Sequence, residues 1–471
     1  MLTLQRIDGE SEEPVIPTDG RHQRRRSAWP IALGATGVTV VLLVGILTLA
    51  STPDIPRGEI MTIAPSQAAP VIEPPPAVAG WPRWGITHTE FSAGNRADKV
   101  SQTASHLLSR VPMLQNQHIM GWGAGNPEPA PGKYDFRDLD GRIKFMGASQ
   151  SIPVITLCCA PDWMKGGTAG RTDWTRLETA PKRAHFDDFA RLAVTVAKRY
   201  PTVKHYMVWN EFKGFWNPAN NRWDAEGYTE LYNKIYVALK AVNKDIQVGG
   251  PYMSMVSSKN DKDSEIQGVW GVVDQRDLDA VEYWLAHKKG ADFIVVDSSS
   301  PTKDAGLIPD EFTALGKFSA ITSWLKQKSD LPVWWAEWYV EPQGSGWTEE
   351  RRLAVQTVAM MEFATSGATT SLYWSPQRKS GRAGQPCPGC LWHPSQGTEL
   401  PMAGILSGFT KWFPAGITLE KITSSDPKVR VLAQEEQLVM VNTSNASVST
   451  TVDGRAFTLK PYAIQWSDRG A

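Results

Sequence analysis

From residue 81 to about residue 376, short apolar runs alternate with longer segments whose apolar residues recur at helical spacing. The runs RWGITHT (83–89), HIMGW (118–122), IPVITLCCA (152–160), KHYMVWN (204–210), IQVGGPY (246–252), ADFIVVDS (291–298), LPVWWAEWY (331–339) and TTSLYWS (369–375) predict strands. Between them AHFDDFARLAVTVAKRY (184–200), YTELYNKIYVALKAVN (228–243) and RRLAVQTVAMMEFATS (351–366) predict amphipathic helices. About eight strand–helix units predict an α/β fold, a (β/α)8 TIM barrel over residues 81–412. A doubly wound open sheet would give a similar pattern, but no glycine-rich phosphate loop follows the first run. Beyond residue 412 the pattern changes to VRVLAQ, QLVMVN, SVSTTV and YAIQW, separated by turn residues, which predicts a small antiparallel, β-sandwich-like module over 413–471.

The N-terminal part follows a different pattern. Residues 29–50 (WPIALGATGVTVVLLVGILTLA) carry no charge and are long enough, as a helix, to cross a hydrocarbon core of about 30 Å. RHQRRR at 21–26 precedes this stretch and Arg57 alone follows closely, so the positive-inside rule puts the tail 1–28 in the cytoplasm and the rest outside the cell membrane. A cleaved secretory signal is the alternative, but the apolar run and its leader are long for one. Residues 51–80, rich in proline and alanine and without a period, read as an extended linker.

Composition narrows the partners. Forty-nine basic residues balance 49 acidic ones, so no field favours nucleic acid. The 20 tryptophans supply rings that pack cores and also form platforms for sugars. Cys387 and Cys390 in QPCPGCLWH are close enough for a disulfide within one loop; a metal site there would need His393 and at least one further ligand. Cys158 and Cys159, in an apolar run, are expected as packed thiols.

In such a barrel the reactive groups lie at the C-terminal ends of the strands. Glu211, in VWNEFKGFW, ends the fourth predicted strand, and Glu337, in PVWWAEW, closes the apolar part of the seventh. Two carboxylates on one mouth can cleave a glycosidic bond, one protonating the leaving oxygen while the other attacks the anomeric carbon. Asn210 beside Glu211 suits a sugar hydroxyl, and Trp209, Phe212 and Phe215 would desolvate the carboxyl and hold it protonated. Glu211 is therefore expected as acid/base and Glu337 as nucleophile. Glu341 shares strand parity with Glu337, but Pro342 beside it suggests the strand has ended.

VWNE on a fourth strand and WWAEW on a seventh resemble the retaining glycoside hydrolases of clan A, which carry an Asn-Glu acid/base and a second Glu nucleophile there. GITHTEF, then GWGAGNPEPAPGKYDFRDLDGRIKFMGASQSIPVITLCCAPDWM, is similar to the first three strands of glycoside hydrolase family 39 and of membrane-anchored endoglycosidases acting on exported bacterial polysaccharides. His88, Trp122, Gly132, Tyr134, Asp135, Phe136, Leu139, Asp140, Pro161 and Trp163 occupy the matching places. The resemblance covers roughly residues 81–376. It implies that Trp374, ending strand eight, lies under the sugar at the cleavage point, that Trp163 and Trp216 line flanking subsites, and that His88 and Trp122 form the floor. Two places depart from the relatives: Gln117-His118 stands where they commonly have an arginine, and Asp297-Ser298-Ser299 where a His or Tyr supports the nucleophile. Tyr252 or Tyr339 is the candidate replacement donor, and Asp297 is a further candidate contact.

Together these readings describe a membrane-anchored retaining glycosidase, without metal or organic cofactor, endo-acting on a cell-surface or exported polysaccharide in the extracytoplasmic space. An exo-acting β-glycosidase of the xylosidase kind, a transglycosylase, and a catalytically idle glycan-binding barrel in an envelope polysaccharide complex are the alternatives.

Overall fold

The computed structural model describes residues 83–94, 98–260, 264–379 and 387–469. The expected tail, membrane span 29–50 and linker 51–80 lie outside them. Among the described residues no helix is long and apolar enough to cross a membrane.

Eight parallel strands close into a barrel: β1 (Trp84–Thr87), β2 (Leu114–His118), β3 (Ile152–Leu157), β4 (His205–Val208), β5 (Gln247–Ser254), β6 (Phe293–Ser299), β7 (Val333–Tyr339) and β8 (Thr370–Trp374). Closure is the parallel pairing of β1 with β8, Trp84 opposite Ser371 and Thr87 opposite Trp374. The outer layer holds α1 (Lys99–Leu108), α2 (Arg137–Ala148), α3 (Phe186–Arg199), α4 (Ala225–Val242), α5 (Gln275–His287), α6 (Gly316–Lys328), α7 (Glu349–Ser366) and α8 (Pro401–Trp412). Several helices begin on side-chain caps that satisfy otherwise orphaned amides: Asp98 accepts from Ser101 N at 2.8 Å and Asp224 from Gly227 N at 3.0 Å. Leu114, Val154, Met207, Phe293, Val295, Trp334 and Leu372 fill the barrel interior. Gly85 belongs to the same layer, where a Cβ would lie 2.4 Å from the Leu114 carbonyl oxygen.

The second strand lies four residues earlier than the apolar run HIMGW predicted. It is LQNQH, with Gln115, Asn116, Gln117 and His118 all buried. Polar residues can form this strand because each finds partners. Gln115 reaches His88 at 2.8 Å and Ser149 at 3.0 Å, while Asn116 bridges Thr87 at 3.2 Å and Thr156 at 2.8 Å.

The C-terminal module has the predicted antiparallel texture. One sheet orders β9 (Val429–Ala433), β10 (Gln437–Asn442) and β13 (Ile464–Asp468), and a hairpin joins β11 (Val448–Val452) to β12 (Arg455–Leu459). Val429, Leu438, Met440, Val448, Val452 and Leu459 form its core. β12 was not among the predicted strands, because its side chains are mostly exposed or half-buried; the Asp453-Gly454 turn, with φ of 50° and 74°, marked it. The module docks through Trp466 on Phe409 and Phe413, with ring centroids 5.6 and 6.1 Å away. Phe413 also accepts from Trp84 Nε1 at 3.0 Å and from Arg83 Nε at 3.4 Å, so the start of β1 is tied to the end of α8.

Both cysteine pairs are disulfide-bonded. Cys387 bonds to Cys390, as their spacing suggested. Cys158 and Cys159, expected as thiols, are joined to each other just beyond β3, fully buried. Adjacent sulfurs at the end of a strand can meet where an apolar run alone implies only packing.

Candidate active site

Strand alternation and two irregularities build the site. On β6, Phe293, Val295 and Asp297 follow the period of two, so Asp297 points into the mouth above the barrel core. On β7 the same period puts Trp334 and Ala336 inside and would turn Glu337 out. The register slips there, Val296 pairing with Trp335 and Asp297 with Glu337, and this bulge at Ala336 re-aims Glu337 inward. A matching slip on β5, where Val295 pairs with Pro251 and Val296 with Met253, bulges Tyr252 inward with φ of 53°.

Glu211 arrives by a different route. β4 ends at Val208, and the chain turns through left-handed backbone at Trp209, Glu211 and Phe212, with φ of 69°, 50° and 56°. Such conformations cost about 1–2 kcal/mol per residue and persist only where surrounding contacts fix them. Here Trp209 packs edge-on against Phe189 and Phe215, and Phe212 stacks on Tyr228 at 4.1 Å. These rings buttress the turn that presents Asn210 and Glu211.

The result is a trio of carboxylates: one oxygen each from Glu211, Asp297 and Glu337 lies within 4.8 Å of the others. Glu337 is 3% exposed and Asp297 1%, while the Glu211 side chain retains 14%. Tyr252 Oη donates to Glu337 Oε1 at 2.6 Å, and Tyr339 Oη donates to Glu337 Oε2. Both candidate donors thus hold the nucleophile candidate, in the place where the relatives' His or Tyr is missing. Asn210 lies 3.4 Å from Glu211 Oε2 through Nδ2 and 3.2 Å from His118 Nε2 through Oδ1. His118 stacks on Trp122 at 4.2 Å, which brings Trp122 into the same cluster. Trp374 meets Tyr339 edge-on at 6.2 Å.

Lys213 was missed by the sequence reading. Its Nζ pairs with Glu211 Oε2 and, at 2.7 Å, with Glu178 Oε1. Its signal was its position, two residues past Glu211 on a turn that brings i and i+2 together. The consequence is electrostatic. Burial pushes the Glu211 carboxyl up, as expected, but Lys213, Asp297 and His118 together outweigh it and hold Glu211 below its ordinary value. Glu337 goes the other way, to about 8, because burial and the charge of Glu211 exceed the help from Tyr252 and Tyr339. Asp297 is raised well above its ordinary value, chiefly by burial and then by Glu211. The aromatic turn therefore does not keep Glu211 protonated, as desolvation alone would; a cation beside it reverses the sign.

The remaining predicted residues divide. His88 is not part of the floor: Thr87 points inward, so His88 faces the helices, bonded to Gln115 and edge-on to Phe145 of α2 at 5.8 Å. Trp163 donates to Glu128 O at 2.9 Å and abuts His185, while Trp216 packs on Trp223 under Arg276; no contact links either to the trio. Glu341 is bound by Arg352 at 2.8 Å and stands outside the trio. Trp122, Asn210, Tyr252, Asp297, Tyr339 and Trp374 are gathered around Glu211 and Glu337.

Residues 127–352 match the family described as Glycosyl hydrolases family 39. No curated protein sequence matches the chain. Among solved structures, the fold is similar to a monomeric beta-xylosidase from Caulobacter crescentus CB15, with a TM-score of 0.51 at 18% identity, covering 77% of this chain and 74% of that one. SrfJ from Salmonella typhimurium gives a TM-score of 0.53 at 13% identity, over 83% of this chain and 90% of that one. The endo-beta-1,4-mannanase from Thermotoga petrophila gives 0.50 at 13% identity, over 83% and 92%. At these identities the solved structures speak for the barrel, and the family match speaks for the stretch carrying Glu211, Asp297 and Glu337. The chain is a glycosidase by this match, similar over residues 127–352 to glycosyl hydrolases family 39.

Proposed function

We propose that the chain is a retaining glycosidase working by double displacement, with Glu337 as nucleophile and Glu211 as acid/base. The observation that carries this reading is the separation of the two glutamates, whose oxygens lie within 4.8 Å of each other. Retaining enzymes hold their carboxyls ~5–5.5 Å apart, whereas inverting enzymes need ~6.5–9.5 Å for a water. Glu337 attacks the anomeric carbon while Glu211 gives its proton to the leaving oxygen; water, deprotonated by Glu211, then releases the sugar. The donors Tyr252 and Tyr339 orient Glu337 and favour its carboxylate form. For the first step the proton must reach Glu211, so Lys213 has to lean toward Glu178, its second partner, as the substrate binds.

The substrate we favour is a cell-surface or exported polysaccharide cut internally. The support is the uncharged stretch 29–50 with its basic leader and its proline-rich spacer, which suit a catalytic barrel tethered outside the membrane. A catalytically idle, glycan-binding barrel in an envelope complex is the second reading, and the Glu211–Lys213 ion pair is the observation that favours it.

Incubation with activated 5-fluoroglycosyl fluorides separates the two. The expected result is a mass increase localised to Glu337, abolished in Glu337→Gln. In Glu211→Gln, glycosides with poor leaving groups should lose turnover while activated aryl glycosides keep a first-step burst. Absence of labelling with every sugar tried favours the idle barrel, and equal losses on both leaving groups remove Glu211 from the acid role.

A further inference from the structure

A retaining mechanism on a neutral sugar needs two carboxylates, and this mouth holds three. Lys213 pairs with both Glu211 and Glu178 and offsets one of their two charges. Neither Glu337 nor Asp297 has an ion-pair partner among the described residues. Glu337 is at least satisfied, by two tyrosine hydroxyls. Asp297 is satisfied only in part: it shares a hydrogen bond with Glu211, but it is 1% exposed, it points into the mouth by the plain alternation of β6, and its Oδ1 has no hydrogen-bond partner. A buried carboxylate oxygen without a donor is costly, and the cost is removed when a cation arrives with the ligand.

We propose that Asp297 receives the ammonium group of an amino sugar held at the cleavage point, and that the substrate is a polysaccharide containing free, non-acetylated amino sugar. The proposal rests on the retaining-glycosidase reading. An ammonium on that sugar supplies three donors, one of which the unpartnered Asp297 Oδ1 can accept. It also offsets the negative charge that Asp297 takes on when it ionises beside the ammonium. A neutral hydroxyl would satisfy Oδ1 without bringing a charge, and an N-acetyl group would bring bulk and an acceptor oxygen beside an atom that needs a donor. Burial and the neighbouring carboxylates favour the protonated form of Asp297 in the empty site; a bound ammonium reverses that preference.

The test uses three β-1,4-linked tetramers that differ only at C2: glucosamine, glucose and N-acetylglucosamine. Binding by calorimetry and cleavage by product analysis are measured at pH 6 on the full chain. The glucosamine tetramer is expected to bind at least tenfold more tightly than either neutral one, and to be cut preferentially. Asp297→Asn should bring the three within about threefold, with its melting temperature recorded alongside. The wild-type comparison stands by itself where that variant fails to fold. Equal or better binding of a neutral tetramer by the wild type overturns the inference. So does stoichiometric binding of Ca2+ that Asp297→Asn abolishes, because the cation would then be a metal. Labelling of Glu337 by the fluoroglycosyl fluorides is read separately: lost preference with labelling intact sinks this inference alone, whereas absent labelling sinks the reading beneath it.

Discussion

At the scale of single residues, one lysine opposes the desolvation of Glu211. Desolvation of Glu211 by its aromatic turn was legible in VWNEFKGFW, and by itself would have made a carboxylic acid ready to donate. Lys213 opposes it, and Glu337, the proposed nucleophile, is pushed up to about 8. Under the proposed mechanism the free site favours the proton on Glu337 over Glu211, the reverse of what the first step needs. Replacing Lys213 by Met removes the group that stabilises the Glu211 carboxylate, so the Glu211 pKa rises. With Glu211 the lower and Glu337 the higher of the two, the acidic limb of kcat/KM follows Glu211 and should move to higher pH by about one unit. A pH profile on an aryl glycoside checks this, and an unmoved limb would show that the pair does not govern the acid.

At the scale of elements, the barrel is set by layers of side chains and by where the strands break their own period. Gly85 is required by the approach of β2, and Gly85→Ala would drive a methyl into the Leu114 carbonyl. Overpacking of this kind costs about 1–3 kcal/mol, which denaturant unfolding should show as a lower midpoint with unchanged slope. Most strands were legible because apolar residues mark them: VWWAEWY and FIVVDSS lie within a residue or two of the predicted runs. LQNQH was not, since four consecutive polar residues satisfy one another only after β1, β3 and α2 are in place. The bulges at Tyr252 and Ala336 were equally invisible, because a register slip is a relation between two strands. A strict period of two would have turned Glu337 away from the mouth, and the pairing of both tyrosines with it depends on those slips. His88 is the opposite case: the alternation that sends it behind the wall was present in GITHT and was passed over.

For the whole molecule, the C-terminal module and the barrel share α8. Trp466 covers Phe409 and Phe413, and a side chain on Gly408 would collide with it at 2.7 Å. Trp466→Ala should cost about 3 kcal/mol, the low end of the range for losing a large aromatic ring, because Trp466 is partly buried. Calorimetry should still show one transition, shifted down, because the module and the seam lean on the same helix; two separated transitions would show that the module folds independently.

That seam has a temporal side. Trp84 and Arg83 open the first strand, yet their hydrogen-bond acceptor is Phe413, some 329 positions further along. During synthesis the first strand therefore emerges long before either its pairing partner in β8 or its anchor at Phe413 exists. Final closure must wait until the ribosome has delivered nearly the whole catalytic unit, which leaves the nascent sheet edge to be shielded by other means in the meantime.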